Sequence, residues 1–378
     1  MPKNYVSAPI YFDNAATTYP KPQSVRAAAA RAIVKAGGNP GRGGHPLARA
    51  AGETVYHARE TAAKMFGAEP ENVVFTQNCT HALNLAIWGL LHEGDHVVIS
   101  SMEHNSVWRP VVTMAKAGII TYSIAQISPD DAQPLANFRR LFRPNTRAVI
   151  CTLVSNVTGQ ILPYRELGQL CRDAGIALIA DGAQGCGILP VRLSDGITIL
   201  CTAGHKGLYG ITGSGMLISD GTCQLMPLMQ GGTGSQSKSA QMPDFLPDAL
   251  EAGTVAVPAI AGLDAGMRFV ENRGTASIFQ HEAAICDRLM TGLAARRGVK
   301  VLRSAVGRYA PLVSFVLEGE EPSETAERLA NLGFCVRAGI HCSPLAHETL
   351  GTATAGTVRF SPSVFSTVQQ TDAFLRAL

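Results

Sequence analysis

Five polar clusters in this chain each follow directly on a short apolar run rich in β-branched residues. They are Cys79-Thr80-His81, Glu103-His104-Asn105, Ser155-Asn156, Asp181-Gly182-Ala183-Gln184 and His205-Lys206. Singly, each has a local explanation. Thr80 or Asp181 can cap the helix that follows, His104 can be an exposed loop residue, and Asn156 can form an Asx turn ahead of Gly159. Lys206 can be a surface lysine in the glycine-bracketed turn "AGHKGLYG". Together they supply hydroxyls beside a helix N-terminus, an imidazole, amides, a carboxylate and an amine. If the apolar runs are neighbouring strands of a parallel sheet, the clusters meet at its carboxyl edge, where loops converge and helix N-termini face a ligand.

That set of groups meets the needs of pyridoxal 5'-phosphate. The aldehyde takes a lysine amine as a Schiff base, the ring nitrogen takes a carboxylate that keeps it protonated, and the phosphate takes a helix N-terminus with hydroxyls. Lys206, Asp181 and Thr80 fit these roles in that order. Gly204, Gly207 and Gly210 would let the backbone approach the cofactor without Cβ clashes. A nicotinamide dinucleotide fits less well. The glycines after Lys206 do not follow a strand, G-x-G-x-x-G, helix order, and no ribose-binding acid lies about 20 residues further on.

The elements that must position these residues are legible as an alternation. "NVVFTQN" leads into "THALNLAIWGLL", "DHVVISSMEHN" into a helix beginning near Ser106, and "RAVICTLVSNVTG" into "PYRELGQLCRDAG"; "IALIADGAQG" and "ITILCTAGHKG" follow. This predicts βαβ units and an α/β domain with a mainly parallel, seven-stranded sheet. Past "EAGT" the pattern changes to a long helix over about 257–295, broken near Arg273-Gly274, then strands and helices of a small α+β domain. Its strands are read at "VKVLR", "PLVSFVLEG", "FCVRAG" and "TVRFSPSVFS". The expected organisation is an N-terminal segment, 1–15, packed near the small domain, a large domain over 16–256, and the linking helix with the small domain over 257–378.

Composition narrows the class. Of 378 residues, 46% are hydrophobic and 16% charged, far from the composition of disordered chains and enough to build cores without disulfides. The net charge of +3 is dispersed, with no basic run, so no nucleic-acid partner is expected. The start "MPKNYVSAPIYFDNAATT" lacks an export signal's apolar core, and no apolar run approaches the roughly 20 residues that span a bilayer, so a cytoplasmic protein without a membrane partner is expected. The nine cysteines include no C-x-x-C pair; most should be reduced, small core residues, and no metal site is expected.

Set side by side, these residues make the chain resemble the class V aminotransferases, and among them the cysteine desulfurases and selenocysteine lyases. The likeness runs through "YFDNAATT", "GRGGHPLA", "VVFTQNCTHALNLA", "MEHNS", "VSNVTG", "IADGAQ", "GHKGLYG", "EAGT", "RAGIHC" and "TVRFSP". It implies the aspartate aminotransferase-like fold (fold type I) and a set of roles. Lys206 would carry pyridoxal phosphate and move protons, His104 would stack on its ring and assist, and Asp181 would pair with the ring nitrogen. Gln184 would meet the phenolic oxygen, Asn156 the ring or substrate, and Thr80, the Cys79 backbone and His205 the phosphate. Thr254 would reach the phosphate held by a partner subunit, which implies a homodimer with shared active sites.

Arg359 would bind the carboxylate of a cysteine- or selenocysteine-type substrate, with Arg337 nearby. Cys342 would attack the sulfur, leaving alanine and an enzyme persulfide for a sulfur-acceptor protein, its thiol pKa lowered with help from Arg337 and His341. For Cys342 an inert buried thiol, or a metal ligand with His341 and His347, stays open. For the reaction the alternatives are a selenocysteine lyase, a cysteine-sulfinate lyase or another β-lyase of the family. Three positions depart from the usual pattern. Ala203 stands where relatives carry a hydroxyl, which Thr202 or water would replace; His81 stands for an acid; Ile211 stands for a proline.

Overall fold

A computed structural model describes residues 9–41, 43–128 and 134–378. Residues 1–8 of the N-terminal segment, and Arg42 of "GRGGHPLA", lie outside the described residues. The first part of the chain runs β1 (Ile10–Tyr11), α1 (Gln23–Lys35), α2 (Pro46–Phe66), β2 (Val73–Thr76), α3 (Cys79–Leu90), β3 (His96–Ser100), α4 (Asn105–Lys116) and β4 (Thr121–Ala125). It continues through α5 (Pro134–Arg139), β5 (Thr146–Thr152), α6 (Tyr164–Asp173), β6 (Ala177–Asp181), β7 (Ile199–Ala203) and β8 (Gly215–Ser219). The second part runs α7 (Val257–Arg273), α8 (Thr275–Ala294), β9 (Val299–Val301), β10 (Val313–Leu317), α9 (Pro322–Asn331) and β11 (Phe334–Cys335). It closes with β12 (Arg337–Gly339), α10 (Pro344–Leu350), β13 (Thr357–Phe360) and α11 (Val368–Ala377).

A seven-stranded sheet of order β2-β8-β7-β6-β5-β3-β4 forms the large layer, as expected. Its neighbours from β7 to β4 are parallel, while β8 is antiparallel to both β2 and β7. The central strands are buried on both faces, which explains why they read as unbroken apolar runs. Alternation assigns the residues to two cores. Val98, Val149, Leu178 and Leu200 pack on one face, and Val97, Ile99, Ile150, Ile179 and Ile199 on the other. Because β3, β5, β6 and β7 run in the same direction, the clusters that follow them emerge at one edge.

The second sheet has order β12-β13-β10-β9 and is antiparallel. Phe12, Phe315, Phe334, Phe360 and Phe374 pack together in its core, so the segment after β1 is anchored there. The helix break falls where expected: Gly274, at φ 81°, separates α7, which packs on α1 and α2, from α8, which packs on α11. One expectation fails. "FCVRAG" is not one strand, because Phe334 and Cys335 pair in parallel with Ile10 and Tyr11, whereas Arg337 to Gly339 pair antiparallel with β13. The chain changes partner at Val336.

Candidate active site

The cavity at the carboxyl edge is lined by Cys79 and Thr80 after β2, His104 after β3, and Asn156 after β5. Asp181 and Gln184 enter it from the end of β6, and His205 and Lys206 from β7. The eight residues expected to hold the cofactor from within one chain therefore converge. His81, among the departures noted, does not line the cavity.

At the start of α3 the cap is Asn78, not Thr80: Asn78 Oδ1 accepts from the His81 N–H at 2.9 Å. The N–H groups of Cys79 and Thr80, at the first two helical positions, have no partner within the helix and face an anion site. Thr80 Oγ1 lies 2.7 Å from Ser106 Oγ, which lies 2.7 Å from His104 Nδ1. The Ser106 N–H also donates to that Nδ1, at 3.1 Å. Nδ1 is thus an acceptor, the neutral ring carries its proton on Nε2, and the hydroxyl protons run from Thr80 to Ser106 to His104. Burial pushes His104 down to about 4 against the pull of Asp181, so the imidazole is neutral at pH 7. Sequence reasoning passed over Ser106; its only signal was its position two residues after the histidine of "MEHNS".

Asp181 is 3% exposed, and its Oδ1 accepts from the Ala183 N–H at 2.9 Å and the Cys79 thiol at 3.4 Å. Burial lowers the pKa of the Lys206 ammonium, and Asp181 opposes that shift. His205 is pushed to about 4 by burial, then by Lys206 and Lys21, and its Nδ1 is buried without a partner among the described residues. The His205 carbonyl accepts from the Thr18 N–H at 3.1 Å and Lys21 Nζ at 2.8 Å, which pins the turn that presents Lys206. Gln184 Nε2 donates to the Ala15 carbonyl at 2.9 Å, leaving one amide hydrogen for a ligand. A free helix terminus, an orphaned imidazole nitrogen, a buried carboxylate and a desolvated amine fit the phosphate, ring and aldehyde of pyridoxal phosphate.

Two local expectations are corrected here. The glycines around Lys206 make room for the chain itself: a Cβ on Gly204 would sit 2.3 Å from Ser214 Oγ, and one on Gly207 2.3 Å from the Cys186 carbonyl. Thr202 cannot replace the hydroxyl missing at Ala203, because strand alternation sends Ala203 to the cavity and Thr202 to the opposite face. Glu103 lies behind the cavity, fully buried. Its Oε1 accepts from the Thr152 N–H at 2.9 Å and from the Ser100 hydroxyl, its Oε2 has no partner among the described residues, and burial raises the carboxyl pKa to about 8.

Arg359 is buried, with Nη2 donating to Asp13 Oδ1 at 2.9 Å, Nη1 donating to the Asn156 carbonyl at 3.1 Å, and Nε unpartnered among the described residues. Asp13 was not foreseen. Arg337 faces Arg359 across the β12–β13 pair. Thr254 stands apart from the cavity, exposed, its hydroxyl accepting from Asn39 Nδ2 at 3.1 Å. Its expected role toward a partner subunit is a matter of assembly.

Cys342 is exposed, which removes the inert buried thiol. It sits at the tip of a four-residue turn closed by Ser343 N to the Ile340 carbonyl at 3.0 Å. His341 and Cys342 have φ of 51° and 58°, a left-handed conformation that costs a non-glycine residue roughly 1–2 kcal/mol. His341 was expected to help activate the thiol and cannot do so by charge. It is 4% exposed, bonded to Thr357 Oγ1 at 3.1 Å, and burial with Arg359 nearby drives its pKa to about 2. Among the described residues, no three His, Cys, Asp or Glu side chains are grouped to hold a metal, so His341 and His347 complete no metal site with Cys342 there. No helix among the described residues is long and apolar enough to cross a membrane.

Comparison with known proteins agrees with this geometry. The family Aminotransferase class-V matches residues 10–374. Over 98% of the chain, sequence identity is 34% to both a probable cysteine desulfurase 1 of Mycobacterium leprae (strain TN) and a probable cysteine desulfurase of Mycolicibacterium paratuberculosis (strain ATCC BAA-968 / K-10). The chain spans 61% and 55% of the lengths of these two relatives. The apo structure of a cysteine desulfurase from Thermococcus onnurineus NA1 superposes with a TM-score of 0.90 at 29% identity, covering 97% of this chain and 93% of that one.

Proposed function

The chain belongs to the class V aminotransferase family, and from that premise we propose that it is a pyridoxal-phosphate-dependent cysteine desulfurase, converting L-cysteine to L-alanine with the sulfur held as a persulfide on Cys342. One observation carries the reading: an exposed cysteine on a turn hydrogen-bonded to Asn156 and Asn105, beside the cavity that contains Lys206. Elimination enzymes acting on selenocysteine or cysteine sulfinate have less need of such a thiol.

Lys206 would hold the cofactor aldehyde, Asp181 the ring nitrogen, Gln184 the phenolic oxygen, and the Cys79 and Thr80 N–H groups at the N-terminus of α3, with His205, the phosphate. Bound there, the cofactor supplies an electron sink that acidifies the substrate Cα–H and weakens the carbon–sulfur bond. Lys206, its ammonium destabilised by burial, takes the Cα proton as a neutral amine and returns a proton to carbon. His104, neutral and oriented by Ser106, keeps Nε2–H as a donor on the cavity side. Arg359 orients the substrate carboxylate through its unpartnered Nε and remaining Nη hydrogens. The Cys342 sulfur bonds to the substrate sulfur as the carbon–sulfur bond breaks. Two thiols thereby become alanine and one persulfide, and no external oxidant is required.

The same proposal includes a homodimer in which Thr254 completes the partner's phosphate site, a sulfur-acceptor protein that docks at exposed Cys342, and a reducing cytoplasmic setting suited to nine free thiols. The test is Cys342→Ala. Alanine release from L-cysteine should fall by more than a hundredfold while the visible absorption of the bound cofactor persists, with selenocysteine and cysteine sulfinate assayed in parallel. Full cysteine turnover by the variant would refute the mechanism.

A further inference from the structure

Residues outside the Cys342 turn hold it in its unfavourable backbone state, and one of them also lines the Lys206 cavity. Two consecutive left-handed φ values suit glycine or asparagine; histidine and cysteine keep them only where surrounding bonds over-determine the turn. Those bonds are present. Asn156 Nδ2 donates to the His341 carbonyl at 2.7 Å, and Ser343 Oγ donates to Asn156 Oδ1 at 2.6 Å. Asn105 N, the first amide of α4, donates to the Cys342 carbonyl at 2.8 Å.

We propose that Asn156 is a positioning residue for Cys342, with Ser343 as its brace, coupling the cavity to the thiol-bearing turn. This rests on the reading of Cys342 as the nucleophile. Asn156 was expected to contact ring or substrate, yet its carbonyl oxygen and one amide hydrogen are committed to the turn. Its backbone carbonyl also receives Arg359 Nη1, so the residue expected to grip the substrate carboxylate and the turn that delivers the thiol share one neighbour. Without the clamp, His341 and Cys342 would relax toward negative φ, and the Cys342 side chain would leave its present direction.

The experiment uses the full chain with cofactor bound and two variants. Ser343→Ala removes a fully buried hydroxyl that does not line the cavity, and Asn156→Asp keeps the acceptor for Ser343 but replaces the donor to His341 by an oxygen. Circular dichroism establishes that each is folded. Hydrogen exchange at the Asn105 and Ser343 amides should accelerate about tenfold or more in both. For Ser343→Ala, kcat for alanine release from L-cysteine should fall about tenfold with KM within about twofold of wild type, the signature of a loss confined to the reacting complex. Unaltered exchange at both amides would overturn the clamp. Faster exchange with unaltered kcat would overturn the positioning role. A wild-type protein that never carries a persulfide on Cys342 would instead refute the proposed function, a result distinct from either.

Discussion

Asp13→Asn separates two ways in which Arg359 can meet a substrate. The carboxylate of Asp13 is the guanidinium's only ion-pair partner among the described residues, at 2.9 Å, with side-chain exposures of 20% for Asp13 and 2% for Arg359. Asparagine preserves the shape and the Oδ1 acceptor and removes the charge. At an effective dielectric of 20 and about 4 Å, the lost attraction is at most about 4 kcal/mol, and the part-exposed rim of Asp13 reduces it to about 2 kcal/mol. In the free protein this is a loss, and the unfolding temperature should fall by a few degrees. If Arg359 binds the substrate carboxylate as proposed, that carboxylate restores a counter-charge in the complex, so the variant should bind substrate more tightly, with KM for L-cysteine lower by roughly threefold to thirtyfold. Steady-state kinetics and thermal unfolding with and without the product alanine check both arms; alanine should stabilise the variant more than the wild type. A KM that rises would refute the competition and make Asp13 a support that holds Arg359 in place.

Two further outcomes follow from other parts of the molecule. Glu103 has its folded pKa raised to about 8 from an ordinary 4.5, so the folded state binds the extra proton and stability from this group is lost as pH rises through 8. Glu103→Gln should flatten that loss in urea unfolding at pH 6 and 9, and an unchanged difference between the two pH values would contradict a neutral buried acid. For assembly, mixing inactive Lys206→Ala protein with Thr254→Ala protein should restore up to about a quarter of wild-type activity, because half the molecules become hybrids with one intact site of two. Absence of any recovery after verified subunit exchange would refute shared sites.

The carboxyl-edge cluster was legible because parallel strands deliver consecutive loops to one place, so Cys79, His104, Asn156, Asp181 and Lys206 could be gathered without knowing a single long-range contact. What lay beyond reach was pairing between residues far apart in the chain. Nothing in "YFDNAATT" indicates that Asp13 meets Arg359, and nothing near "RAGIHC" indicates that Asn156 holds its turn. Burial was the second blind spot: His341 reads as a cation beside a thiol, and its desolvation makes it a neutral structural group. Local competition was the third. Thr80 and Asn78 are both good caps two residues apart, and the choice between them decided whether the Thr80 hydroxyl belongs to the helix or to the chain of hydrogen bonds ending at His104.

The charges around the cavity bear on why it should bind anions at all. Arg337, Arg359 and Lys206 bring positive charge, against Asp13 and Asp181, and burial keeps His104, His205 and His341 neutral instead of adding to the excess. Cations also depress one another here: Arg359 and Arg337 lower the Lys206 pKa after burial, and Lys206 and Arg337 lower that of His104. Such an arrangement is costly in a low-dielectric site until counter-charge arrives. The phosphate and substrate carboxylate of the proposed reaction would be that counter-charge, so each would be bound partly by relieving a repulsion already built into the fold. Burial first, and then Arg359 and Arg337, favour the neutral amine of Lys206, so in the proposed reaction weakening the field at Arg337 should cost both anion binding and proton abstraction.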